Sequence, residues 1–120
     1  MRKLSILYLI LLVSCRPDFG VDFIVHNQTS IPIDSVIISD LDSISTIRLY
    51  AISPGTEKSD FLRMNDIKPY DGSYVVQVNS GGIRRSEQIG YYTNGTPCEE
   101  QIDFIIENDT IDYDQVMRDY

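Results

Sequence analysis

The 120-residue chain is poor in side chains that carry metal and redox chemistry, with two cysteines, one histidine and no tryptophan. These cannot close a tetrahedral zinc site, and no P-loop, dinucleotide-binding, nucleophile-elbow or zincin motif is present. Cations are also scarce, since ten lysines and arginines stand against eighteen acids, a formal net charge of −8. We therefore expect no nucleic-acid partner, because a phosphate backbone would repel this surface. We also expect no metal, no cofactor and no enzymatic activity.

Long apolar runs are absent except at the start of the chain. Arg2 and Lys3 precede a largely apolar run over residues 4–13. Its length suits the central region of a signal peptide and is about half of the ~20 residues that a membrane-spanning helix needs. The following residues, Leu12-Val13-Ser14-Cys15, resemble the lipobox of bacterial lipoproteins, although Val13 departs from the usual small residue. The alternative is a buried N-terminal helix or strand of a cytosolic domain that ends by chance in cysteine.

The resemblance implies a division of the chain and a location. Residues 1–14 would be a lipoprotein signal peptide, 15–19 a lipidated N-terminus with a short linker, and 20–120 a single acidic domain. Cys15 would carry the lipid that attaches the protein to a membrane of the bacterial cell envelope. Because Arg16 is not acidic, the resemblance favours the periplasmic face of the outer membrane. Cys98 would then be the only thiol, although a Cys15–Cys98 disulfide, which would exclude lipidation, is the alternative.

Beyond the N-terminus, short β-rich runs alternate with turn residues, and no dozen residues carry a helical apolar period. This pattern predicts a two-layer antiparallel β-sandwich of seven or eight strands. Ser80-Gly81-Gly82 predicts a tight hairpin, because glycine accepts a positive φ. The predicted strands are Val21–His26, Asp34–Ser39, Thr46–Ser53, Ser59–Asn65, Ser73–Asn79, Ile83–Tyr91, Gln101–Glu107 and, as a possible eighth, Thr110–Tyr113. The predicted core comprises Phe23, Val25, Val36, Ile38, Ile47, Leu49, Phe61, Leu62 or Met64, Tyr74, Val76, Val78, Ile102, Phe104 and Ile106.

One segment narrows the fold further. From Phe61 to Gly82, an apolar strand is followed by Lys68-Pro69-Tyr70-Asp71-Gly72, then by alternating Tyr74, Val76 and Val78, and by a glycine hairpin. This stretch resembles transthyretin-like, carboxypeptidase-regulatory-like sandwich domains of small lipoproteins of the Bacteroidota type. Tyr70-Asp71 is an insertion relative to that pattern. The pattern also has a physical interpretation: the turn places a tyrosine at the start of a central strand, where its ring packs and its hydroxyl reaches a loop.

Tyrosines supply the candidate ligand-binding residues. Tyr91 and Tyr92 precede a turn and, with Tyr70, could form an aromatic rim at one end of the sandwich, a common recognition surface for sugars or proteins. Because neighbouring strand residues point to opposite faces, at most one of Tyr91 and Tyr92 should enter the core. We expect a non-enzymatic binding or accessory module for an envelope protein or glycan. The alternatives are a small periplasmic enzyme or redox protein that uses His26 or Cys98, and a passive structural lipoprotein.

Overall fold

A computed structural model describes residues 18–119, which form strands and turns without a helix. The nine strands are β1 Gly20–Asn27, β2 Ile33–Ser39, β3 Thr46–Ile52, β4 Glu57–Arg63, β5 Gly72–Ser80, β6 Ile83–Thr93, β7 Thr96–Pro97, β8 Glu99–Ile106 and β9 Ile111–Met117. Within this part of the chain, no helix is long and apolar enough to cross a membrane.

The strands form two sheets that pack face to face as a β-sandwich, which confirms the predicted fold class. One sheet has the order β4-β1-β8-β9, and the other has the order β3-β2-β5-β6-β7. All neighbouring strands are antiparallel except β1 and β8, which run parallel near the two ends of the described sequence. The additional strand, β7, consists of Thr96 and Pro97 and is too short to produce an alternating pattern.

Alternation of apolar and polar residues builds the core between the sheets. Every predicted core residue is buried except Phe61, which is half-buried. Three of its aromatic rings pack together: Phe23 meets Tyr74 edge-on and Tyr74 lies against Tyr92, both pairs at 5.4 Å between ring centroids. The core also includes five residues outside the predicted set: Val21, Ile33, Ile52, Ile89 and Tyr92.

Two turns show how local sequence fixes the connections. Gly81 and Gly82 join β5 to β6 with φ of +56° and +78°, which confirms the predicted two-residue hairpin. At the end of β1, the buried side chain of Asn27 donates hydrogen bonds from Nδ2 to the carbonyls of Ile31 (3.0 Å) and Ile52 (2.8 Å). Its Oδ1 accepts hydrogen bonds from the backbone N–H (2.9 Å) and hydroxyl (2.6 Å) of Thr29. Asn27 thereby supplies the polar groups of two loops with partners.

The strand registers place the turns at two ends of the sandwich. Within the β1–β4 pair, Gly20 opposite Arg63 marks one end and His26 opposite Glu57 marks the other. The first end, here called the Phe19 end, comprises residues 18–19, 40–45, 64–71, 94–95, 98 and 118–119, together with the strand residues that border them, such as Tyr91. The second, here called the Asn27 end, comprises residues 28–32, 53–56, 81–82 and 107–110.

Candidate functional site

The Phe19 end brings two of the three predicted ligand-binding tyrosines together. Tyr70 lies in the β4–β5 loop and is 65% exposed, and Tyr91 lies near the end of β6 and is 49% exposed. Asp71 connects their surroundings, because its carboxylate accepts hydrogen bonds from the Tyr91 hydroxyl (3.1 Å) and from the backbone N–H of Asn94 (2.9 Å). The Tyr70 carbonyl accepts a hydrogen bond from the N–H of Gly95 (3.0 Å). The two exposed rings thus lie beside the β4–β5 loop and the β6–β7 turn, which hydrogen bonds join to each other.

The hydrogen bond between Tyr91 and Asp71 has an electrostatic consequence. The neighbouring carboxylate raises the pKa of the Tyr91 hydroxyl, because ionisation would break the bond and place two negative charges side by side. Tyr91 therefore stays protonated, and its hydroxyl donates a hydrogen bond to Asp71 that orients the exposed ring.

Tyr92 belongs to the core rather than to the rim. Its side chain is 2% exposed, its ring packs on Tyr74, and its hydroxyl oxygen accepts a hydrogen bond from the N–H of Leu41 (3.1 Å). Burial raises the pKa of Tyr92. As alternation predicts, one member of the Tyr91-Tyr92 pair is inside. The exposed aromatic rim consists of Tyr70 and Tyr91.

A bulge decides which tyrosine faces inward. Tyr74 pairs with Ile89 and Gly72 pairs with Tyr92, so β6 contains one more residue than β5 between these two pairs. Gly90 lies in the bulge with φ of +68°, a conformation that glycine adopts without strain. A Cβ on Gly90 would lie 2.8 Å from the Tyr74 ring, so the absence of a side chain also makes room for that ring.

Beneath the rim lies a buried polar cluster that sequence reasoning missed. Glu99 is 1% exposed, and its Oε1 accepts a hydrogen bond from the N–H of Tyr91 (2.8 Å). Among the described residues, three buried atoms have no hydrogen-bond partner: Glu99 Oε2, the Tyr74 hydroxyl and Arg118 Nε. The Tyr74 ring packs as expected for the start of a central strand, but its hydroxyl does not bond a loop within residues 18–119.

Burial dominates the chemistry of this cluster. It raises the pKa of the Glu99 carboxyl, because removal from water disfavours the charged form more than the hydrogen bond from Tyr91 favours it. Burial also strongly raises the pKa of Tyr74, and the negative charge of Glu99 adds to this effect. Strict alternation along β8 would place Glu99 and Ile102 on opposite faces. A second bulge, between Glu99 and Gln101, places them on the same buried face.

His26 and Cys98, the residues of the enzymatic alternative, lie at opposite ends of the sandwich. His26 pairs with Ile105 across the parallel strands, seven residues beyond Cys98. At ~3.3 Å per strand residue, this separation is roughly 23 Å. His26 Nδ1 lies 2.8 Å from Glu57 Oε2, and the half-buried Cys98 Sγ lies 3.6 Å from the Thr93 hydroxyl. The two side chains therefore share no cleft.

Residues 18–119 contain no group of three His, Cys, Asp or Glu side chains placed to hold a metal ion. In the acidic β2–β3 loop, the carboxylate of Asp40 stabilises the loop itself. Asp40 is buried, and its side chain accepts hydrogen bonds from the backbone N–H groups of Ser45 (2.7 Å) and Asp42 (3.0 Å). Asp40 thus fixes the conformation of its own loop.

Cys15 and the predicted signal peptide lie outside the described residues. No protein-family model and no curated protein sequence matches the chain. An NMR structure of a protein from Eubacterium rectale is similar in fold, with a TM-score of 0.55 over 83% of this chain and 91% of that one. Their sequences are 8% identical, so the likeness concerns the fold alone.

Proposed function

We propose that the chain is a lipid-anchored protein of a bacterial cell envelope, with a β-sandwich that serves as a non-enzymatic binding or accessory module. The observation that carries this proposal is the order of the N-terminal sequence. Cations at Arg2 and Lys3, an apolar run and Leu12-Val13-Ser14-Cys15 stand directly before the first strand, which begins at Gly20. Two acyl chains on one cysteine would give durable attachment, since a single chain binds a membrane only marginally.

Contacts at the start of the sandwich support a short tether. The N–H of Phe19 donates to Asn65 Oδ1 (3.1 Å), and the Phe19 carbonyl accepts a hydrogen bond from the N–H of Met64 (2.8 Å). Asp18 forms an ion pair with Arg63 at 3.0 Å. The chain is therefore part of the domain from Asp18 onward. Three residues beyond Cys15 span at most about 11 Å, which holds the domain close to the lipid.

The arrangement of polar side chains supports binding over catalysis. The two residues suited to general-base or thiol chemistry, His26 and Cys98, are roughly 23 Å apart and do not combine into one site. The Phe19 end instead presents two exposed aromatic rings, those of Tyr70 and Tyr91, and the hydroxyl of Tyr91 is hydrogen-bonded to the Asp71 carboxylate. Rings of this kind present large contact areas with few rotatable bonds, as binding surfaces require.

Metabolic labelling with palmitate tests the anchor, and the two cysteines provide a matched pair of variants. We expect the wild-type and Cys98→Ala proteins to incorporate label and to fractionate with membranes, because Cys15 is intact in both. Cys15→Ala should lose both properties. A Cys15→Ala protein that still carries label and remains with membranes would overturn the proposal.

Crosslinking in intact envelopes tests the binding role. We expect the anchored wild-type protein to recover a protein or glycan partner, and we expect His26→Ala and Cys98→Ala to recover it equally well. Failure of the wild-type protein to recover any partner would replace the binding role with a passive structural one. An enzymatic activity that the wild-type protein has and either variant lacks would support the enzymatic alternative instead.

A further inference from the structure

We propose that the Phe19 end is a membrane-contacting surface, with Tyr70 and Tyr91 seated in the interfacial layer of the bilayer that holds the lipid anchor. This inference rests on the proposed lipid anchor and names the partner of the aromatic rim. The rim then lies against a zwitterionic lipid surface, and a protein or glycan partner of the domain would bind elsewhere on the sandwich.

The first argument is the distribution of exposed apolar side chains. Three further residues at the Phe19 end, Phe19, Leu41 and Ile44, are between 40% and 48% exposed. They come from the N-terminal segment and the β2–β3 loop, whereas Tyr70 comes from the β4–β5 loop and Tyr91 from β6. Contributions from four separate segments meet at this end, whereas two large apolar side chains, Ile31 and Ile83, are exposed at the Asn27 end. Aromatic side chains with an apolar ring and a polar hydroxyl are the residues favoured at membrane interfaces.

The second argument is the length of chain between the anchor and the fold. Asp18 and Phe19 are bound to Arg63, Met64 and Asn65, so the tether can extend only from Cys15 to Asp18. Its greatest length, about 11 Å, is shorter than the ~30 Å spanned by the nine residues of β5. A lipid inserted at Cys15 therefore brings the Phe19 end to the bilayer surface and keeps the Asn27 end away from it.

Charge selects the kind of lipid surface. The Phe19 end and its border carry five exposed acids against three cations, of which Arg118 is half-buried: Asp18, Asp42, Asp66, Asp71 and Asp119, against Arg63, Lys68 and Arg118. An anionic leaflet would repel these groups, whereas a zwitterionic one would not. We therefore expect contact to be strongest on zwitterionic lipid and to weaken as the anionic fraction rises at low ionic strength.

The absence of tryptophan permits a clean fluorescence test with the full-length lipidated protein. Tyr70→Trp and Leu41→Trp place a single probe at the Phe19 end. Ile83→Trp places a matched probe at the Asn27 end, where Ile83 follows the Gly81-Gly82 turn and is 68% exposed, close to the value for Tyr70. Each protein is reconstituted into phosphatidylcholine vesicles that contain nitroxide-labelled lipid. Flotation confirms attachment, and thermal unfolding confirms that each variant is folded.

We expect the two probes at the Phe19 end to emit at shorter wavelength than the Ile83→Trp probe. We also expect the nitroxide-labelled lipid to quench them several-fold more than it quenches that probe. Equal quenching at both ends, or no quenching at the Phe19 end while the protein floats with the vesicles, would overturn the membrane-contacting surface and leave the lipid anchor intact. A wild-type protein that does not float after expression with its signal sequence would instead overturn the proposed function. Quenching of the Phe19-end probes by an added glycan or protein, but not by lipid, would assign the rim to that ligand.

Discussion

The buried carboxylate of Glu99 predicts an unusual pH dependence of stability. Glu99→Gln keeps the Oε1 acceptor that receives the Tyr91 N–H and removes the negative charge. Glu99 is almost fully buried, and its Oε2 has no hydrogen-bond partner among the described residues. The carboxylate is therefore better solvated when the chain unfolds, and we expect the variant to be more stable than the wild type at neutral pH.

The sign of the effect follows from the raised pKa of Glu99. Because the folded state holds this proton to higher pH than the unfolded chain, its contribution to stability is complete below the unfolded pKa of ~4.3. That contribution is lost as the pH rises from there through the raised pKa of the folded state. Glu99→Gln puts an equally unpartnered Nε2 in the place of Oε2, so any gain comes from removal of the negative charge: the variant should be more stable than the wild type above this range and should lose that advantage below it. For a domain of this size, each kcal/mol shifts Tm by about 4–8 °C.

Thermal and urea unfolding between pH 4 and pH 8 checks this expectation. Glu100→Gln is the matched control, because Glu100 is the exposed neighbour and loses the same formal charge. The control should stay within about 0.5 kcal/mol of the wild type at each pH. A Glu99→Gln protein that is less stable than the control at pH 8 would refute the reasoning, since the carboxylate of Glu99 would then favour the folded state.

Four further substitutions test the packing. Asn27→Ala removes four hydrogen bonds and should lower the free energy of unfolding by about 2–4 kcal/mol in urea titrations; a loss below about 1 kcal/mol would mean that water replaces them. Phe104→Ala should cost about 3–5 kcal/mol, whereas Tyr113→Ala, opposite it on edge strand β9, should cost clearly less because Tyr113 is half exposed. Equal losses of unfolding free energy in the two variants would show that Tyr113 on β9 is as well packed as Phe104. Gly90→Ala should cost about 2 kcal/mol or more, from its positive φ and from the Tyr74 ring; an unchanged Tm would contradict the bulge.

The core could be predicted because period-2 alternation is written into each strand. Tyr74, Val76 and Val78 on β5 and Phe104 and Ile106 on β8 all face inward, as their spacing requires. Strand lengths were less predictable at the sheet edge. β9 continues to Met117 although Asp112, Asp114 and Gln115 interrupt the apolar pattern, because its backbone pairs with β8 along its length.

The candidate site was predicted in part. Tyr70 and Tyr91 are exposed at one end, as the loop assignment implied, but the choice of Tyr92 for the core depends on the bulge at Gly90. The buried Glu99 was missed because a second bulge reverses the face on which β8 places it. Each bulge adds one residue against a partner strand, and the local sequence does not contain the position of that partner.

The sequence by itself determined the alternating core, the glycine hairpin and the sandwich class, because side-chain alternation and turn dihedrals are properties of neighbouring residues. Only the tertiary structure decided the parallel pairing of β1 with β8, the two bulges and the meeting of Phe19, Tyr70 and Tyr91 at one end. These features depend on hydrogen bonds and packing between segments far apart in the chain, so their outcome is set by the assembled sheets and not by any single strand.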